Sequence, residues 1–346
     1  MLFISKSIII LILYADIHHK RIKEGIMRYI VTGVDGKLGG RVAENMLQEV
    51  DPKNLILTCP DLSRMNKDTL LKWQALGASI LEANYNDPLG MEKTFKGGDR
   101  IYIVSGVLIG DKRVQQHKNV IDAAKKAGVS HITYTSFLGA TDPAYSHVYV
   151  TPDHTATEEY LSRCGVTYNA MRNNLYMENY LSTSVMLALM SNNKWYTTAG
   201  EGKGTFIAKD DSARVATALL LGKGKNNKAY NITGGESISQ RDLCQLISEL
   251  SGISIEYCPV DTKAFFEYLD SMNIPRDTDQ DFSKSPVPWC GNDMVTNEAS
   301  IAEGLMDVHS DAVELLTGRK PLTARELAKK YSYIWESKVT HWRDIK

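Results

Sequence analysis

Arg28-Tyr29-Ile30-Val31-Thr32-Gly33-Val34-Asp35-Gly36-Lys37-Leu38-Gly39-Gly40 is the stretch from which the rest of the chain is read. Its first five residues make a short, mostly apolar strand. The glycines then fall as G-x-x-G-x-x-G, and Lys37 to Glu49 forms an amphipathic helix with Val42, Met46 and Val50 at helical spacing. Strand, glycine-rich turn and helix start, in that order, suit a pyrophosphate. Glycine permits the tight turn and lets backbone approach the anion. The helix N-terminus offers free N–H groups and the positive end of its dipole. A glycine triplet alone is weak evidence; its place on the first strand gives it weight. Gly33, Asp35, Gly36, Lys37, Leu38 and Gly39 are therefore candidate dinucleotide-binding residues.

Outward from this motif the chain alternates strand and helix. Further strands are expected at Asn54–Cys59, Ser79–Leu81, Arg100–Ser105, His131–Thr135 and Val166–Met171. The helices between them end at Gly77, Gly97-Gly98, Gly128 and Gly165, as glycine at C′ predicts. Strands separated by helices of this length mean βαβ units and a parallel sheet. The expected fold class is α/β, a Rossmann-type doubly wound parallel sheet. After about residue 175 the rhythm changes to helices with short strands near Ala229–Ile232 and Ser254–Tyr257, and Asp277 to Pro288 reads as a loop or lid. The expected division is residues 27–175 for the nucleotide-binding domain and 176–346 for a smaller, mainly helical substrate region packed over the strand ends, where ligands of open α/β sheets bind.

Composition narrows the function. The formal net charge is −1 over 346 residues, which argues against general nucleic-acid binding, since that needs a clustered Lys/Arg excess. Five separated cysteines with no C-x-x-C pair make neither a disulfide framework nor a zinc site, so no metal is expected and a reducing cytoplasm is. The apolar run Ser7–Ala15 behind Lys6 is shorter than the roughly 20 residues that span a bilayer, so no stable membrane insertion is expected. A strand begins directly after Met27, and residues 1–26 read best as a mis-called start, with a flexible tail, weak anchor or signal as alternatives.

The end of the second strand selects the cofactor in folds of this kind. Asp61 there argues for NAD; Arg64, with Lys37, argues for NADP. Alternatively Asp61 caps the next helix and Arg64 is solvated. The balance leans to NADP, with NAD possible.

Several segments carry a resemblance. The glycine loop, Ile103–Gly106, His117–Ala124, His131–Ser136, His154–Glu158, Arg172–Asn179, Tyr230–Gly234 and Leu316–Pro321 resemble, in order and spacing, the NmrA-like atypical short-chain dehydrogenase/reductases. The likeness runs from Met27 to about Ala328 and is nearest to the NAD(P)H:quinone reductase and triphenylmethane reductase subgroup. It implies further cofactor contacts: Asn84 near the adenine, Ser105, Gly106 and Val107 beside the cofactor, Asn173, Asn174 and Tyr176 lining the nicotinamide pocket, and Lys209 from the C-terminal half. One departure is that the subgroup often carries Arg at or beside Cys59-Pro60.

No tyrosine has a lysine four residues later, so the Tyr-x-x-x-Lys proton donor of ordinary short-chain dehydrogenases is missing. Ser136 remains, and His154 falls where related members place their lysine. Both are catalytic candidates, His154 also as a cofactor ligand, because an unperturbed imidazole titrates near neutrality. This pattern fits hydride transfer to a small-molecule acceptor that needs little proton donation, such as a quinone or cationic dye. The rival is a dinucleotide-sensing regulator with little or no turnover; a nucleotide-sugar epimerase would normally need the Tyr-Lys pair. A homodimer is expected only by analogy.

Overall fold

The computed structural model describes residues 26–345; all but Ile26 of the 1–26 segment discussed above lies outside them. The central sheet has seven strands in the order β3-β2-β1-β4-β5-β6-β9, every neighbour parallel. These are β1 Tyr29–Val31, β2 Leu55–Cys59, β3 Ser79–Glu82, β4 Arg100–Ile103, β5 His131–Phe137, β6 Thr167–Asn173 and, after β7 Lys194–Thr197 and β8 Lys203–Gly204, β9 Lys228–Ile232. The sequence-based elements fall within a few residues of these, as the apolar runs dictate.

Residue alternation explains how both faces are covered. Val31, Leu55 and Leu57 point to one face and pack with Val42 and Met46 of helix α1 (Lys37–Glu49). Ile30 and Ile56, one residue out of phase, point to the other, as a period of two requires. That second face is covered by three helices: α3 (Pro88–Phe95) through Met91 and Phe95, α4 (Asp111–Lys126) through Val120 and Ile121, and α5 (Thr151–Arg163) through Leu161. Helix α2 (Lys67–Ala75) adds Trp73 to the first face.

The second half of the chain is not simply laid on the first. After the short helix α6 (Val185–Met190), helix α7 (Lys209–Leu220) packs Ala213, Ala216 and Leu219 into the same core as α1, and β9 pairs with β6 from Asn169↔Lys228 to Asn173↔Ile232. The rhythm change near residue 175 therefore marks no edge of the sheet. The remaining elements surround a separate apolar cluster that includes Phe137, Leu181, Trp195, Phe206, Leu243 and Trp335. They include the small pairs β8 with β10 (Ile238–Ser239) and β7 with β11 (Glu256–Pro259), and helices α8 (Gln240–Ser251), α9 (Thr262–Ser271) and α10 (Gly291–Ala302). No helix among the described residues is long and apolar enough to cross a membrane.

Candidate active site

The glycine turn is built so that only glycine fits. Gly33 has φ +64°, and a Cβ on Gly39 would stand 2.2 Å from the Gly33 carbonyl oxygen, so α1 leaves β1 closer than any other residue permits. Helix α1 begins with no side-chain cap and no acidic residue in its first turn. Its leading amides and dipole are left for an external anion.

A cavity of about 470 Å³ opens at this turn. It brings together Gly33, Gly36, Lys37, Leu38, Gly39, Ser105, Gly106, Val107, Ser136, His154, Asn173, Asn174, Tyr176 and Lys209 from six separate stretches. At its inner end two ammonium groups press on one another. Lys37 donates to the Ile345 carbonyl at 2.7 Å, and burial, then Lys209 and Arg41, lower its pKa to about 8. Lys209 donates to Asn179 and lies 5.2 Å from the Tyr176 ring centroid; burial lowers its pKa against the pull of Glu178. Glycine turn, uncapped helix and paired ammonium groups fit a dinucleotide pyrophosphate.

His154 ends a chain of hydrogen bonds that starts at the Gly106 N–H. The Gly106 N–H donates to His117 Nε2 at 2.9 Å, so a neutral His117 carries its proton on Nδ1. That Nδ1 faces Thr157 Oγ1 at 2.8 Å and the Tyr134 hydroxyl at 3.3 Å. Tyr134 cannot then donate to His117; its hydroxyl lies within hydrogen-bond reach of Thr157 and 2.8 Å from His154 Nδ1. His154 Nε2 has no protein partner among the described residues, and the side chain lines the cavity. Burial, then Arg113 and His117, lower the His154 pKa well below its ordinary value, and burial lowers that of His117 to about 3. Burial thus holds the His154 imidazole neutral, against the titration near neutrality expected of it.

Ser136, on the same cavity, is held by a partner. Its hydroxyl donates to the buried Glu158 carboxylate at 2.6 Å, and Glu158 is clamped by Arg172 through Nε and Nη2. Its proton is committed to a structural network. Asn174 is spent similarly: its amide donates to Thr205 and to the Met306 carbonyl, and its oxygen accepts from the Leu175 N–H. Asn173 joins Ser212 to Tyr176, and Tyr176 bridges to Ile207. Tyr180 is in the core against Phe206.

Four expected cofactor residues lie outside this cavity. Asp61 accepts from the Ser63 N–H and caps a single turn at Leu62–Arg64. Arg64 pairs with Asp35 at 3.1 Å. Asp35 faces a second cleft, about 610 Å³, on the other side of the glycine turn with Arg41, Arg214, Arg319 and Lys330. Asn84 is exposed and only closes a local turn onto the Asn86 N–H; the place near the adenine expected for it gains no support from the cavity.

The cavity also contains residues that no motif announced. Phe137, Ile109, Val150 and Trp289 make an apolar wall. Arg113 of α4 donates to the Gly106 carbonyl at 2.7 Å. Asp293 and Asn297 of α10 enter from the far half, beside Thr278 and Pro288 of the expected loop and Cys290 at the start of α10. Their sequence neighbourhood is ordinary amphipathic helix, which carries no signal of a site.

The NmrA-like family model matches residues 27–334. Quinone oxidoreductase 2 of Escherichia coli K12 is 28% identical over 245 residues, covering 71% of this chain and 82% of that protein. Among solved structures, the Escherichia coli NADPH-dependent quinone oxidoreductase complexed with NADPH superposes with a TM-score of 0.76 at 25% identity, covering 87% of this chain and 99% of that one. Triphenylmethane reductase of Citrobacter complexed with NADP(H) gives 0.75 at 25% identity, covering 88% and 99%.

Proposed function

The chain belongs to the NmrA-like family, and we propose that within it the protein is an NAD(P)H-dependent reductase that delivers hydride to a quinone-like or other conjugated small-molecule acceptor. The observation that carries this reading is one cavity with two unlike ends. One end holds the uncapped helix, the glycine turn and the Lys37 and Lys209 ammonium groups; the other is walled by Phe137, Val150 and Trp289. A dinucleotide fits the first and a flat apolar acceptor the second. Relatives described as quinone and triphenylmethane reductases, with NADPH or NADP(H) in their solved structures, support the same division.

A bound nicotinamide cofactor would supply the hydride. The chain's own residues do the rest. Backbone amides at the start of α1 and the ammonium of Lys37 hold phosphate oxygens. His154 would contact the ribose or carboxamide, beside Lys209, and would orient the ring face presented to the acceptor. Phe137, stacked on His154 with 6.1 Å between ring centroids, and Trp289 exclude water from the transfer. Catalysis is then chiefly positioning, which alone can be worth several kcal/mol of barrier.

The test is to titrate the protein with NADPH and NADH by fluorescence, then add a simple quinone and follow oxidation of the reduced cofactor. Tight binding with quinone-dependent oxidation, both lost in Gly36→Asp, is the expected result. Binding without turnover across quinones and cationic dyes would point to a dinucleotide sensor. Failure to bind either cofactor would overturn the reading.

A further inference from the structure

Beside its apolar residues the cavity holds a group of polar side chains from two helices. Arg113 from α4 and Asp293 and Asn297 from α10 line it together. The Arg113 side chain is 11% exposed. Its Nε is used on Gly106, while Nη1 is buried without a hydrogen bond, 3.6 Å from the Asp153 carboxylate. Asn297 donates to Asp293 at 3.1 Å, and its own Oδ1 is buried without a partner. Buried polar atoms without a hydrogen bond are uncommon and costly; Arg113 Nη1, though ion-paired with Asp153, and Asn297 Oδ1 are two such atoms on a cavity that also holds a carboxyl group. A ligand oxygen seated there would accept from Arg113 and receive from Asp293.

We propose that Asp293 is the proton donor to the reduced acceptor and that Arg113 holds the acceptor oxygen on which negative charge develops. This rests on the reductase reading above. The step balances as follows for a quinone. A hydride, with its electron pair, leaves the dihydronicotinamide and bonds to the quinone, which becomes a monoanionic quinol. The carboxyl O–H of Asp293 breaks and its proton bonds to the phenolate oxygen. The cofactor is oxidised, the quinone is reduced, and the Asp293 carboxylate recovers its proton from solvent. A cationic triphenylmethane dye needs no such proton, because its central carbocation takes hydride and becomes neutral.

The surroundings of Asp293 suit the role. It stands in the first turn of α10, where the helix dipole favours a carboxylate, and Arg113 and Asn297 act in the same direction. Burial outweighs all three and raises its pKa to about 6. The other groups near it are the Cys290 thiol at the start of its own helix, the Tyr180 hydroxyl from the segment after β6, and Asp277 in the loop, which is held to Tyr149. His154, on the same cavity, is neutral. A carboxyl group with this pKa is a donor at mildly acidic pH, as general acids tuned by burial are.

The experiment compares two acceptors on the full-length protein with NADPH. In Asp293→Asn, quinone turnover is expected to fall about 100-fold relative to dye turnover in the same variant, the lower range for general-acid catalysis. In the unmodified protein, quinone turnover should decline as pH rises through about 6, and this limb should vanish in the variant. Asp293→Glu should restore part of the quinone activity. In cofactor-free protein, the infrared band of one protonated carboxyl should titrate near the same pH and be missing from Asp293→Asn, which keeps the idea testable if turnover is low. Equal loss for both acceptors, or an unchanged pH profile, would overturn the proton-donor assignment while leaving the reductase reading intact. Cofactor binding with no turnover of either acceptor by the unmodified protein would instead overturn the reductase reading, and this proposal with it.

Discussion

Asp35 and Arg64 sit on adjoining turns after β1 and β2, and their 3.1 Å pair sets the charge where cofactor choice is made in this fold. Arg64 is the cation after β2 that the sequence offers to a 2′-phosphate, and Asp35, 6% exposed, pairs with it. NADPH must compete with Asp35 for Arg64, whereas NADH need not. Asp35→Ser is expected to raise NADPH affinity over NADH by about tenfold, the equivalent of about 1.4 kcal/mol, and Arg64→Ala to shift it the opposite way; fluorescence titration with both cofactors checks this. His117 gives a second residue-scale prediction, in stability. Its folded pKa of about 3 lies below the ordinary 6.5, so on acidification the unfolded chain takes up a proton first. Stability from this group is whole above about pH 6.5 and is lost as pH falls, at up to about 1.4 kcal/mol per pH unit. His154 acts with the same sign. Asp293, with its pKa raised to about 6, has the opposite sign and loses its contribution as pH rises through that value. Urea unfolding between pH 6 and 4 should show a shallower acid slope in His117→Gln.

At the scale of elements, α5 is fastened to β5 and β6 by one buried network, Ser136 to Glu158 to Arg172, with Arg172 also donating to Thr141. Glu158 is 6% and Arg172 23% exposed at the side chain, so removing the carboxylate strands a mostly buried guanidinium. Glu158→Ala should lower unfolding free energy by about 3 kcal/mol, while a Glu158→Ala, Arg172→Met pair should recover part of it; denaturant titration of both decides. The same elements show what was legible in sequence. The strands could be read because buried parallel strands must be apolar, and the helix ends because glycine closes them. The glycine turn could be read because its constraint is steric and local, as the 2.2 Å approach at Gly39 shows. The roles of Ser136 and Asn174 could not, because their partners Glu158, Thr205 and Met306 are 22, 31 and 132 residues away. Arg113 and Asp293 were invisible for the same reason, since only the docking of α10 over the strand ends makes their helix positions into a cavity wall.

Across the whole molecule, the two halves of the chain are interlocked rather than stacked, and we propose that they fold as one unit. The second half supplies β9, the seventh strand, and α7, whose Ala213 and Leu219 share a core with Val31, Leu57 and Met171. Polar ties cross the division many times. Arg100 donates to the Leu219 and Leu220 carbonyls, and Asn169 to those of Lys225 and Lys228. Lys37 of the glycine turn reaches the Ile345 carbonyl near the other end of the chain. A fragment covering residues 27–175 would expose the β6 edge and the apolar face that α7 covers, and would leave Arg100, Asn169 and Asn174 without their acceptors. Each buried group so stranded costs about 1–3 kcal/mol, against a total stability of about 5–15 kcal/mol for a whole protein. The fragment is therefore expected not to fold, and the intact chain to unfold in one transition. Four of the five tryptophans, Trp195, Trp289, Trp335 and Trp342, lie in the second half, so fluorescence reports chiefly on that half while circular dichroism reports on both. Coincident urea midpoints by the two probes would support a single cooperative unit; a separate earlier fluorescence transition, or a folded 27–175 fragment that binds NADPH, would show that the first half is an autonomous domain.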